Sequence, residues 1–384
     1  MPWMTQLFNS EQANGDDVRG PFPKRPLHRI ALPGTHDSGC YVDKPISNSL
    51  SKTQKQDVNS QLKGGVRYFD IRPKYLGDQQ FTTYHGSLYY GGMLTGDQGI
   101  LRQIRDFFEE LDEEERELVI LNISHFSDFS DQAHQQLITK IAEEFKGFLV
   151  PFTQSEINLF DTPYQALLTD SDENIASRLV VLYDGALDTP QESYITKRLL
   201  TKDAFPPGFF VVAPKYICPV NNIFLFDQYA NKIYVEDWGT FKGMLPDQYD
   251  KLTHRSNYNY APNSNWIVPS GYDPHWTDNA PLGVDSTMHL LSWTLTPQSI
   301  GGDPITYADD YANPALASFF SKGSRWANEQ SYDSTKDPQI NIVYVDDYRS
   351  EVHNNDNSPS YDLAMPVAIA IQLNLGMVGD PSAW

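Results

Sequence analysis

The strongest constraint on how this chain can fold is a series of short, apolar, β-rich runs with helical patterns between several of them. Candidate strands are His28 to Pro33, Val66 to Ile71, Phe81 to Tyr84, Leu118 to Ser124, Leu179 to Tyr183, Phe209 to Val212, Ile223 to Phe226, His289 to Leu295 and Ile340 to Val345. Several are continuously apolar rather than alternating, the pattern of a parallel sheet covered on both faces. Two amphipathic helices are clear. Ile100, Leu101, Ile104, Phe107, Phe108 and Leu111 form one stripe, with Thr95 or Asp97 as N-cap; Ala133, Leu137, Ile138, Ile141, Ala142 and Phe145 form another behind Ser130 and Asp131. Between the first helix and its following strand, the charge run Asp112 to Glu117 reads as a solvated turn. This alternation predicts an α/β fold, a distorted (β/α)8 barrel, with a doubly wound open sheet as the alternative. The 384 residues show no internal repeat and no linker, so one domain over 1–384 is expected, decorated by long aromatic-rich loops over 242–281.

A barrel of this kind carries its reactive groups at the C-terminal ends of its strands. His36, Arg72, His85, Asp227 and Asp346 all fall at or just beyond such ends. His36 sits in Leu32-Pro33-Gly34-Thr35-His36-Asp37-Ser38-Gly39, where Gly34 and Gly39 allow close backbone approach by a ligand. His85 follows 49 residues later in Tyr84-His85-Gly86. Two histidines can supply a base and an acid to one reaction, because the unperturbed imidazole titrates near working pH. Arg72 is either an ion-pair partner for Asp70 or the Glu-rich turn, or a bidentate clamp on phosphoryl oxygens. Asp346, or Asp347 by the same spacing, could orient a histidine. Base, acid and cation together describe a phosphodiester-cleaving site.

A net charge of −21 argues against general nucleic-acid binding and against broad attraction to anionic membranes, so an anionic substrate needs a local cationic pocket. Aromatic side chains offer another route to a lipid surface. Tyr234, Trp238, Phe241, Tyr249, Tyr258, Tyr260, Trp266 and Tyr272 cluster in the later loops, fit either for packing around a barrel rim or for the headgroup layer. Two cysteines, Cys40 and Cys218, exclude a disulfide framework and a cysteine metal cluster; they form one bridge or remain two buried thiols. No apolar run reaches the roughly 18 residues of a membrane span, and the start has no signal-peptide pattern. A mature secreted protein, rather than a cytoplasmic one, and a monomer are the expectations.

The stretch Leu32 to Gly39, the run Val66-Arg67-Tyr68-Phe69-Asp70-Ile71-Arg72 and Tyr84-His85-Gly86 resemble the X domain of phosphatidylinositol-specific phospholipase C, in its metal-independent bacterial type. Leu118 to Phe126, Phe226 to Asn231, Leu290 to Thr296 and Ile342 to Asp346 extend the resemblance over about residues 30–347. It implies a distorted barrel that cleaves phosphatidylinositol to diacylglycerol and inositol 1,2-cyclic phosphate. It further implies His36 as general base, His85 as general acid, Arg72 as the stabiliser of phosphorane charge, Asp37 as its support, and Asp346 as the group that holds His36. Asp227 and Tyr229 resemble the pair that binds the inositol ring. Arg72, together with Ser124 where calcium-using relatives place a ligand, implies that no metal cofactor is needed. Two departures stand out. Tyr183-Asp184-Gly185 replaces a basic strand end, and Asn122-Ile123-Ser124-His125 lacks a lysine that some relatives use, with His125 a candidate substitute in substrate binding. The departures leave room for another glycerophosphodiester or lysolipid headgroup, or for a non-catalytic membrane- or partner-binding module.

Overall fold

A computed structural model describes residues 2–10, 20–43, 51–86, 89–184, 194, 205–212, 225–226, 232–233, 244, 248, 252, 288–297, 303–320, 339–349 and 363–376. In chain order the strands are β1 (Leu32–Thr35), β2 (Tyr68–Ile71), β3 (Pro73–Gly77), β4 (Gln80–His85), β5 (Tyr89–Met93), β6 (Leu118–Ile123), β7 (Arg178–Asp184), β8 (Phe209–Val212), β9 (Leu225–Phe226), β10 (Lys232–Ile233), β11 (Met288–Trp293), β12 (Thr296–Pro297) and β13 (Ile342–Val345). The longer helices are α1 (Trp3–Asn9), α2 (Ile100–Glu109), α3 (Asp131–Glu144), α4 (Asn313–Phe320) and α5 (Met365–Leu375).

The main sheet runs β8-β7-β6-β2-β1-β13-β11-β9, and each neighbouring pair is parallel. From β1 the order is strictly sequential in one direction, and on the other side β1 pairs with the last strand, β13. A doubly wound sheet reverses its strand order at a switch point; a sheet whose first and last strands are neighbours is curled toward a barrel. The fold is therefore the curled α/β barrel, its ring open between β8 and β9 among the described residues.

Alternation along each strand sorts the side chains into two layers. Leu32, Tyr68, Leu118, Ile120, Val180, Leu182, Met288, Leu290, Ile342 and Tyr344 share one buried cluster inside the sheet. Val119, Leu121, Ile123, Leu179 and Val181 point the other way, against Ile104 and Phe107 of α2 and Leu137 and Ile141 of α3. Gly34 is opposite both Tyr68 and Tyr344 in register, and a Cβ there would lie 2.7 Å from Ile342 Cγ2. That glycine admits neighbouring strands, not a ligand.

Several expectations need correction. Phe81 to Tyr84 belongs to β4, part of an antiparallel sheet β3-β4-β5 inserted after β2, not to the barrel. Helix α2 is capped by Gly99 rather than Thr95 or Asp97; Thr95 Oγ1 instead accepts a 3.4 Å hydrogen bond from Phe81 N. Ser130 does cap α3, accepting from Ala133 N. The charge run is not wholly solvated. Glu117 is fully buried and pairs at 2.8 Å with Arg67, also fully buried, while accepting from Thr5 N and Oγ1 of α1. Helix α5 gives no sequence signal, because Met-Pro-Val-Ala-Ile-Ala-Ile-Gln-Leu-Asn-Leu is apolar apart from Gln372 and Asn374 and has no 3.6-residue stripe. Within 242–281 the described residues are Met244, Gln248 and Leu252, all buried; the aromatic residues of that region lie outside the described residues. Cys40 is buried, and Cys218 lies outside the described residues.

Candidate active site

Three strand ends bring their next inward-facing residues together. His36 follows β1, Arg72 follows β2 and Asp346 follows β13. Each continues the inward parity of its strand, two residues beyond Gly34, Asp70 and Tyr344. His85 arrives differently, from the end of β4 in the antiparallel insertion, which folds back over the site. Thr83 Oγ1 and Gly92 N both donate to Gly39 O, at 3.0 and 2.8 Å, and dock this insertion on the loop that carries His36. The missing Cβ of Gly39 faces Thr83, so this glycine too serves packing rather than ligand approach.

His36 is nearly buried, with its Nδ1 2.7 Å from Asp346 Oδ1. Burial is the largest influence on its ring and pushes it down to about 4, against the opposing pull of Asp37. With Asp346 Oδ1 set to accept from Nδ1–H, the neutral ring can present its lone pair at Nε2. Burial acts on Asp346 in the opposite sense and pushes its carboxyl up.

Asp37 links the remaining parts. Its carboxylate is buried, with Oδ1 2.7 Å from Arg72 Nε and Oδ2 3.3 Å from His36 Nε2 and 3.4 Å from His85 Nδ1. His85 Nδ1 is also 3.2 Å from Ser51 O. Two acceptors thus surround Nδ1, and an Nε2–H is available for another partner. The two imidazole centroids are 5.9 Å apart. Asp37 itself takes φ +41°, a costly backbone state for a non-glycine residue that is found where surroundings enforce it.

Asp70 is more than an ion-pair partner for Arg72: it organises the floor of the site. Its carboxylate accepts from Arg72 Nε and Nη2 at 3.1 and 2.9 Å, from Asp37 N at 3.1 Å, from Ser124 Oγ at 3.4 Å, and from the Tyr344 hydroxyl. Burial alone would raise its pKa, but Arg72, His125 and His36 outweigh it and hold the group well below the usual carboxylate range. His125 stands one step back, its Nδ1 2.8 Å from Ser124 Oγ and its backbone at φ +56°. Asp70 and Tyr344 were detectable: each lies two residues before a candidate on the same strand and therefore faces the same way.

His36, Asp37 and Asp70 offer ligand atoms within 4.8 Å of one another, a spacing a cation could use. The Arg72 guanidinium already sits against both carboxylates and supplies one positive charge there. Asp347 does not share the Asp346 position; it turns toward Lys55. Asp227 and Tyr229 lie outside the described residues.

No protein-family model matches the chain. A 1-phosphatidylinositol phosphodiesterase of Staphylococcus aureus (strain Newman) is 42% identical over 64 residues, covering 16% of this chain and 20% of that protein. The Homo sapiens PI-PLC X domain-containing protein 1 is 26% identical over 190 residues, covering 42% of this chain and 57% of that protein. The chain thus spans between a fifth and just over half of the length of these curated relatives. Among solved structures, the phosphatidylinositol-specific phospholipase C from Listeria monocytogenes superposes on 92% of this chain and 95% of its own, with a TM-score of 0.53 and 16% identity. A variant of the Staphylococcus aureus enzyme covers 97% and 99%, with a TM-score of 0.51 and 15% identity. These structural likenesses show a shared barrel fold. No helix among the described residues is long and apolar enough to cross a membrane.

Proposed function

We propose that this chain is a phosphodiesterase that cleaves phosphatidylinositol to diacylglycerol and inositol 1,2-cyclic phosphate. The observation that carries the reading is the buried Asp37 carboxylate within 3.4 Å of two histidines and an arginine, with Asp346 behind one histidine. His36 Nε2 takes the proton of the inositol 2-hydroxyl, whose oxygen attacks phosphorus. The bond from phosphorus to the glycerol oxygen breaks, and His85 Nε2 gives that oxygen its proton. His36 ends protonated between Asp346 and Asp37, and His85 ends neutral; solvent returns the proton between turnovers. Because burial lowers His36 to about 4, the ring is unprotonated and ready to act as base at neutral pH.

Arg72 supplies the positive charge that the phosphorane-like state requires, and Asp37 and Asp70 fix its planar fork. On this reading no divalent ion takes part. Ser124 and His125 extend the polar floor toward the headgroup, and the family resemblance makes Asp227 and Tyr229 the proposed binders of the inositol ring. The substrate is reached by peripheral contact with a lipid surface. A second reading, a different glycerophosphodiester headgroup, is favoured by one feature: the buried acid Asp184 ends β7, where a cation would suit a more anionic group. Variants His36→Ala and His85→Ala test the chemistry. Each is expected to lose at least about 10²-fold in turnover of phosphatidylinositol, the usual contribution of a general acid or base. Near-normal turnover in either would refute it.

A further inference from the structure

The two histidines and the residues on either side of Asp346 contact one rim segment to which the proposed chemistry gives no role, residues 51–55. Ser51 O faces His85 Nδ1 at 3.2 Å. Thr53 Oγ1 donates to Asp37 O at 3.0 Å, and Thr53 O accepts from Asp347 N at 2.8 Å. Gln54 Nε2 donates to His36 O and Val345 O, each at 3.2 Å, and Gln54 Oε1 accepts from Tyr348 N at 3.3 Å. His36, Asp37, His85 and both neighbours of Asp346 are thus contacted by Ser51, Thr53 and Gln54.

One charged side chain anchors the far end of this strap. Lys55 Nζ lies 2.7 Å from Asp347 Oδ2 and 2.8 Å from Asp309 Oδ2. Asp347 is buried at φ +38°, and Asp309 sits in a π-helical turn, Ala308–Ala312. The residue after that turn, Asn313, donates Nδ2 to the carbonyls of both Asp346 and Asp347, each at 3.1 Å. π-Turns and left-handed non-glycine residues are unfavourable and persist where a structure enforces them, often beside functional groups. Here they lie on the two segments that Lys55 joins. Removing the ammonium would leave the carboxylates of Asp347 and Asp309 facing each other without a counter-charge, one residue from Asp346. Burial already pushes Asp347 up to about 7 against the pull of Lys55.

We propose that Lys55 is a positioning residue: by tying residues 51–55 to Asp347 and Asp309, it holds Asp346 against His36 and keeps His85 in register across Asp37. The role in turnover rests on the proposed phosphodiesterase reading, whereas the hold on His36 does not. The test compares wild type with Lys55→Met, which keeps the apolar stem, Lys55→Arg, which keeps the charge, and Asp309→Asn, which removes the second partner. Two quantities are read: the low-field imidazole Nδ1–H proton of His36, assigned by its loss in His36→Ala, and kcat and KM on phosphatidylinositol vesicles. In Lys55→Met the proton signal is expected to broaden away, with kcat at least tenfold lower and KM within twofold. Lys55→Arg is expected to restore both, and Asp309→Asn to give a smaller loss in the same direction. An unchanged proton signal in Lys55→Met, or its absence from wild type, overturns the proposal, as does a lowered melting temperature with unaltered signal and kcat. If wild type turns over no phosphodiester, the phosphodiesterase reading fails and the proton signal alone decides the role of Lys55.

Discussion

Replacement of Gly39 by alanine should damage the site through His85, a residue 46 positions away in sequence. An ideal Cβ at Gly39 would lie 2.5 Å from Thr83 Cγ2 and Oγ1 and 2.7 Å from Thr83 Cβ. Ordinary contact between such atoms begins near 3.5 Å, so the loop and β4 must separate by about 1 Å. Thr83 is two residues before His85 on the same strand, and the shift is carried to the imidazole. Overpacking of this kind costs about 1–3 kcal/mol of stability. A misplacement of about 1 Å in a reacting group can cost about 10²-fold in rate. Gly39→Ala is therefore expected to melt lower but cooperatively and to lose one to two orders of magnitude in kcat on phosphatidylinositol. The partner substitution Thr83→Gly removes all three clashing atoms, so Gly39→Ala/Thr83→Gly should be more active than Gly39→Ala alone. Full activity of the single variant, or a double variant worse than both singles, would refute the coupling.

Acid should weaken the fold through His36. Its folded-state value of about 4 lies below the ordinary 6.5, so the unfolded chain binds the extra proton and stability falls as pH drops from about 6.5 to 4. The depressed Asp70 carboxyl acts with the same sign, its contribution present above the ordinary 3.8 and lost as pH falls below it. Denaturant unfolding at pH 7 and 4.5 should show wild type losing about 2 to 3 kcal/mol more than His36→Gln over that interval; equal losses would contradict the burial of a neutral imidazole. At the opposite end of the barrel, Glu117→Leu leaves Arg67 buried without its counter-charge and should cost about 3–5 kcal/mol in the same assay. Its turnover per folded molecule should match wild type, and a loss below 1 kcal/mol would show that Arg67 finds water.

How far the sequence reaches depends on whether a residue's partners are near it along the chain or across the sheet. The apolar runs of β6 and β7 announce a sheet covered on both faces, and sequential strand order then makes it a barrel. His36, Arg72 and Asp346 were legible because each directly follows such a run. His85 also follows one, but nothing in Phe81 to Tyr84 distinguishes a hairpin strand from a barrel strand; the difference lies in the β3 and β5 partners, whose turns carry the signal. Gly39 looked like space for a ligand because the threonine that fills it is 44 residues away. The strap at residues 51–55 has no apolar period, and its Thr53, Gln54 and Lys55 side chains reach partners far along the chain, at Asp37, Val345, Tyr348 and Asp309. Glu117 looked solvated because its neighbours are charged, whereas its partner Arg67 is buried from another strand.

The measurement that bears most directly on the central reading is incubation of the protein with phosphatidylinositol vesicles, with and without a chelator, followed by phosphorus NMR. Inositol 1,2-cyclic phosphate should accumulate at the same rate in both samples, since Arg72 carries the charge that a metal would otherwise supply. Absence of the cyclic product, or its loss on chelation, would contradict the two-histidine, arginine-assisted mechanism.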